Sequence, residues 1–165
     1  GVEPFLVSST VNAAIAQRLV RRLCPNCKVP YEPDPAVIRD VGLRPEDIDD
    51  HDGRVYRARE GGCEECLELG YKGRTAIFEI LPVDDEIRTL VTQNEDASVI
   101  KRSAINRGLM RTLRYDGALK VLDGLTSIEE VLRVTQEDTG SINRSKDKMP
   151  PPEEAEPSQE IATGE

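Results

Sequence analysis

All four cysteines of this 165-residue chain stand in two Cys-x-x-Cys pairs, Cys24-Pro25-Asn26-Cys27 and Cys63-Glu64-Glu65-Cys66. A Cys-x-x-Cys turn is short enough to place two sulfurs on one ion. Two such turns supply the four thiolates of a closed, tetrahedral, structural Zn²⁺ site, so Cys24, Cys27, Cys63 and Cys66 are the predicted ligands. No coordination position is left for a substrate, and the pattern predicts a clamp rather than a catalyst. Thirty-five residues separate Cys27 from Cys63, more than the roughly 15–20 of the commonest ribbon spacing. The ion would therefore staple a substantial loop. Zn²⁺ is preferred because it accepts four thiolates without redox chemistry, although iron takes the same ligands.

Two other uses of the cysteines compete. Disulfides suit small, cysteine-dense secreted domains, whereas this chain is charge-rich and opens without an apolar signal stretch. A thiol-disulfide oxidoreductase motif needs a helix directly after its first cysteine to depress the thiol pKa. Pro30 and Pro33 follow Cys27 too closely to let a helix continue there, and that reading leaves Cys63 and Cys66 unexplained.

A formal charge of −9 opposes the nucleic-acid role that zinc ribbons often serve, because phosphate binding needs a basic surface. No run reaches the roughly 20 apolar residues of a membrane span, and reduced cysteines suit the cytosol. With aromatics at 4% and no tryptophan, the core must be largely aliphatic. At this length the chain can bury one sizeable core, or one core plus a small metal-stapled lobe.

Along the chain, Glu3-Pro4 predicts a short first helix with proline in its first turn, and the opening Gly1 reads as a cut rather than a start. Over 11–23, Val11, Ile15, Leu19 and Leu23 recur at helical spacing, while Ile15, Gln17, Leu19 and Arg21 also alternate as on a strand. Periodicity leaves both open. Arg18, Arg21 and Arg22 form either a solvated basic edge, the favoured reading, or a face for an anionic ligand. Asp34-Pro35 predicts the cap of a helix carrying Val37, Ile38 and Val41 as far as Gly42, and Pro45-Glu46-Asp47 another short turn. In these small elements the metal is expected to supply more cohesion than burial. His51, the sole histidine, is expected in an exposed turn. Val55–Ala58 and Thr75–Leu81 read as strands, and Gly61-Gly62 suits a tight approach to the second cysteine turn.

From Asp84 the pattern is helical: a unit capped by Asp84, a second from Ala97 to Gly108, a third from about Thr112 to Gly124, and a last one opened by a capping box at Thr126–Glu130. Together they read as a small helical bundle, with Arg107, Arg111, Arg114 and Lys120 on solvated faces or, less favoured, on a partner surface. Residues 139–165 have three basic and six acidic groups and a Pro150-Pro151-Pro152 run, the composition of a disordered tail.

No phosphate loop, dinucleotide-binding turn, nucleophile elbow or zinc-protease helix occurs in the sequence. The order of its pieces nevertheless resembles the C-terminal part of the type II secretion and type IV pilus assembly ATPases. Those pieces are Gly1-Val2-Glu3-Pro4-Phe5-Leu6, Ala16-Gln17-Arg18-Leu19-Val20-Arg21, the two cysteine pairs, Gly70-Tyr71-Lys72-Gly73-Arg74 and Ile77-Phe78-Glu79-Ile80. The resemblance covers roughly residues 1–135.

It implies an α+β fragment of a cytoplasmic, hexameric, RecA-like ATPase, peripheral at the inner membrane, that drives pilin or pseudopilin assembly through a membrane platform protein. It further implies that the ATP- and Mg²⁺-binding motifs lie upstream, that this piece alone does not hydrolyse ATP, and that the stretch matching Ala14–Leu23 is a strand paired with the one matching Arg74–Leu81. The expected organisation is the edge of the RecA-like domain over 1–23 and an inserted tetracysteine lobe over 24–73. A returning strand and helical subdomain over 74–137 then lead to the acidic tail over 138–165. Gln17 and Arg18 are carried over as residues near the nucleotide or the subunit boundary. A free-standing zinc adaptor between proteins is the alternative, without a nucleic-acid role.

Overall fold

In a computed structural model, residues 1–43, 47–48 and 54–135 are described; His51, most of the turn at Pro45 and the tail over 138–165 lie outside them. Pro4 has no amide to leave unpaired, and helix α1, Pro4–Thr10, starts on it. The ambiguous stretch after it is a strand. β1, Ala13–Leu23, pairs antiparallel with Tyr71–Pro82, which is β4 in chain order. The partner decides the matter, because Thr75, Ile77, Phe78 and Ile80 favour a pleated surface, and opposing Ile15 to Ile80 and Val20 to Thr75 satisfies both backbones. One face of this ribbon buries Val20 and Ile77 completely, while the other leaves Ile15, Leu19, Phe78 and Ile80 exposed.

Between the two long strands lie β2, Val29–Tyr31, helix α2, Pro35–Asp40, and β3, Val55–Arg57, with β2 and β3 paired antiparallel. Asp34 caps α2 by accepting the Ala36 amide at 2.7 Å. Burial contributes more here than the sequence predicts. Ile38, Val41, Leu43, Ile48 and Val55 share one core with residues of helices α5, Leu113–Leu122, and α6, Ile128–Val134. Helices α3, Asp85–Thr92, and α4, Ala97–Asn106, pack separately, closing Ile87, Ala104 and Met110 against Leu81 and Val83. The four helices thus divide between two cores instead of forming one bundle. The stripes of α3 and α4 meet the end of β4, and those of α5 and α6 meet the inserted segment.

Three of the expected cationic positions are engaged. Arg107 pairs with Asp84 and Glu86, and Lys120 with Asp116. Arg114 corrects the expectation of a solvated face: it is buried, and its guanidinium donates to the Asp40 carbonyl at 2.9 Å, the Thr135 hydroxyl at 3.1 Å and the Thr135 carbonyl at 3.0 Å. Helix C-termini leave carbonyls without intrahelical donors, and this one side chain serves the ends of both α2 and α6. No helix among the described residues is long and apolar enough to cross a membrane.

Candidate metal centre

Each cysteine pair sits in a turn whose amides fold back on the first cysteine. Cys27 and Lys28 donate to the Cys24 carbonyl, and Cys66 and Glu68 to that of Cys63. The second turn bends sharply, with Leu67 and Glu68 at φ +53° and +63°. Gly62 lies against it so closely that a Cβ there would stand 2.4 Å from the Glu68 carbonyl carbon. Gly70 joins the two turns: its carbonyl accepts the Cys24 amide at 3.0 Å and its amide donates to Cys66 Sγ at 3.1 Å. A side chain at Gly70 would meet Ala58 Cβ and the Arg59 carbonyl oxygen at 2.9 Å.

The turns bring all four sulfurs within 4.8 Å of one another. Cys24 to Cys63, Cys27 to Cys66 and Cys63 to Cys66 are each 3.8 Å apart. A tetrahedron with metal–sulfur bonds of about 2.3 Å has edges of about 3.8 Å, so the spacing fits a thiolate-bound ion. It is far beyond a disulfide, and all four cysteines are free. Amides from Cys63 at 3.2 Å and Gly70 at 3.1 Å aim at Cys66 Sγ, the outer contacts that hold a ligating thiolate. Burial pushes the Cys66 thiol up, but those amides and the neighbouring sulfurs outweigh it and bring it down to about 6. Burial and its sulfur neighbours push Cys27 up to about 12, and a bound cation would favour its thiolate.

The redox alternative is weakened. Cys24 is fully buried, and the element after Cys27 is the strand Val29–Tyr31, so a strand and not a helix follows the first pair.

Of the basic residues near the end of β1, Arg21 is half exposed, as a basic edge would be, but it is not a free anion site. Its amide and guanidinium bind Glu130 at 3.1 and 2.5 Å, and its guanidinium lies 4.1 Å from the centre of the Tyr71 ring. Ser127 accepts the Glu130 amide as a cap should, but the Glu130 carboxylate turns to Arg21 and Arg133 instead of closing the capping box. Tyr71 completes the join through its hydroxyl, 3.1 Å from Ser127 Oγ. No local pattern points to these pairings, since Arg21 and Glu130 are 109 residues apart. Gln17 and Arg18 are exposed on β1, opposite Phe78 and Ile77, with the Arg18 guanidinium on the Gln17 carbonyl.

The sequence matches the family described as Type II/IV secretion system protein over residues 1–133. It is 47% identical over 137 residues to the type IV pilus assembly ATPase PilB of Thermus thermophilus, an alignment covering 83% of this chain and 15% of that protein. It is 44% identical over 138 residues to the type II secretion system protein E of Pseudomonas aeruginosa, covering 84% of this chain and 26% of that one. The chain therefore spans only a minor part of the length of these relatives.

Proposed function

Since this chain belongs to the type II/IV secretion system protein family, we propose that it is the metal-binding C-terminal region of an ATPase powering type II secretion or type IV pilus assembly. Hydrolysis of ATP with Mg²⁺ belongs, on this reading, to a RecA-like domain upstream, in a cytoplasmic hexamer working on an inner-membrane platform protein. The region described here contributes assembly and force transmission. The observation that carries the proposal is the tetrahedral sulfur spacing within a chain 47% identical to a pilus assembly ATPase.

Cys24, Cys27, Cys63 and Cys66 would hold the ion, and Zn²⁺ there would supply a closed, redox-inert cross-link. The chain's own residues carry that cross-link onward. Gly70 fixes one turn to the other, and Tyr71 passes the constraint to the start of α6 and to Arg21 on β1. The exposed apolar stripe of Ile15, Leu19, Phe78 and Ile80 supports the placement of β1 and β4 at the edge of a larger α/β domain, because a two-stranded ribbon does not stand alone. Gln17 and Arg18, on that same ribbon, would face the nucleotide or a neighbouring subunit.

Elemental analysis of the reduced protein should find about one zinc per chain, and a strong chelator should lower the melting temperature. In the full-length ATPase, Cys63→Ser with Cys66→Ser should abolish zinc binding and pilus or pseudopilus assembly. Assembly persisting at the parental level without zinc would refute the mechanical role.

A further inference from the structure

A concavity of about 310 Å³ opens where the first cysteine turn, the end of β1, the start of β4 and the α5–α6 connection meet. Arg22, Lys28 and Lys72 line it together with the apolar Leu23, Pro25 and Leu125. The three cations are not equivalent. Lys28 is fixed, with its ammonium on the Gly124 carbonyl at 2.9 Å and 4.2 Å from the centre of the Tyr56 ring. Lys72 is held by Glu65, with its ammonium 2.8 Å from the carboxylate. Arg22 is exposed and has no hydrogen-bond or ion-pair partner among the described residues. The site therefore holds one uncommitted guanidinium and two positioned ammonium groups around an apolar floor.

A bare inorganic anion would satisfy the cations but leave the floor of Leu23, Pro25 and Leu125 without a partner. A peptide carrying carboxylates on either side of a small apolar residue meets both requirements. This chain contains such a peptide. Residues 149–165 carry Glu153, Glu154, Glu156, Glu160 and Glu165 with no lysine or arginine, and place Ala155 and Ile161 beside them. The reach is ample. Leu125, on the cavity wall, lies three residues before α6, and the seven residues of α6 rise about 10 Å. The fourteen residues 136–149 span at most on the order of 45 Å.

We propose that the cavity bounded by Arg22, Lys28 and Lys72 is the docking site of the chain's own acidic segment, residues 149–165. Tethering makes the contact intramolecular, with an effective concentration on the order of millimolar, so a weak intrinsic affinity is enough to populate it. An ionic contact of this kind is strong in dilute buffer and weakens as salt shortens the screening length.

The test compares, by amide NMR, the zinc-loaded 165-residue chain with its Glu153→Gln, Glu154→Gln, Glu156→Gln, Glu160→Gln variant. Neutralising the segment should move the amides of residues 22–28, Lys72, Gly124 and Leu125, and raising salt in the parent chain should move them the same way. A synthetic peptide of residues 149–165, titrated into the variant, should reverse those shifts with a dissociation constant of about 1 mM or lower. Arg22→Glu should weaken that titration by about tenfold or more. The proposal is overturned if the amides lining the cavity do not move, if the shifts map to another surface, or if inorganic phosphate reproduces them where the peptide does not.

Discussion

Glu130→Gln probes the join between α6 and β1 through a single atom change. The Glu130 side chain is 1% exposed and accepts four hydrogen bonds, from the Arg21 amide at 3.1 Å, the Arg21 guanidinium at 2.5 Å, and the Arg133 guanidinium at 3.0 and 2.9 Å. Burial alone would push its pKa up; Arg133 and Arg21, with the Arg21 amide, overrule it and hold the carboxyl at about 2 against an ordinary 4.5. At about 1.4 kcal/mol per pH unit that difference has an upper bound of about 3.5 kcal/mol. Both arginine side chains are about half exposed, at 49% and 58%, so water screens part of the attraction. The expected contribution is about 2 kcal/mol.

The sign follows from the depressed folded-state value. The stabilisation is fully present above the unfolded pKa near 4.5 and is lost as pH falls through the folded value of about 2. Glutamine keeps the shape but turns one accepting oxygen into a donor facing guanidinium donors. Urea unfolding at pH 7 should therefore show the variant less stable by about 2 kcal/mol, and the gap between the two proteins should close progressively below pH 4.5. Thiolate protonation would also loosen a metal bound by the cysteines in acid, but it would do so in both proteins and cancel in the difference. A gap under about 0.5 kcal/mol at neutral pH, or one that stays constant into acid, would refute the reasoning.

Two glycines should be costly to replace, the first against the usual preference for alanine inside a helix. Gly117 lies inside α5, where alanine ordinarily gains about 1 kcal/mol. A Cβ there would stand 2.7 Å from Cγ1 of the fully buried, β-branched Val131, so Gly117→Ala should instead lose about 1–2 kcal/mol, and a raised melting temperature would sink the idea. Gly62→Ala meets both a φ of +53° and backbone at 2.4 Å. It should weaken zinc about tenfold or more in competition with a chromogenic chelator, whereas unchanged affinity would mean that the second cysteine turn tolerates the shift.

The elements legible in the sequence are those whose causes are local. Two cysteines in a four-residue turn, an aspartate at position 34 or 84 before a helical stripe, and a threonine or serine at 112 or 127 each act on amides two or three residues away. β1 was not legible from its own periodicity, because Val11, Ile15, Leu19 and Leu23 satisfy a helix as well as a strand, and the deciding partner lies in 71–82. The family resemblance supplied the pairing that spacing left open. By local pattern alone Arg114 is a solvated cation and Glu130 half of a capping box, and both fail for the same reason. Their partners, Asp40 and Arg21, are 74 and 109 residues away, and no local pattern reports a contact across such a distance.

These distant contacts connect what the local ones build. The Gly70 amide binds the Cys66 sulfur, and the next residue, Tyr71, places its hydroxyl on the cap of α6 and its ring beneath Arg21 of β1. Arg21 in turn holds the carboxylate of Glu130, one turn into α6, while the Thr126 hydroxyl donates to the Arg21 carbonyl at 2.8 Å. On the proposed function, a displacement of β1 would reach α6 through an ion pair and two hydrogen-bonded side chains, and would reach the sulfur cluster through a single peptide unit. The buried core shared by α2, β3, α5 and α6 resists independent movement of the inserted segment. In the proposed motor, the metal is then less a support for a loose lobe than a fixed corner. It keeps Gly70 and Tyr71 in register, so that movement arriving along the β1–β4 ribbon turns the helices instead of being lost in the loop between Cys27 and Cys63.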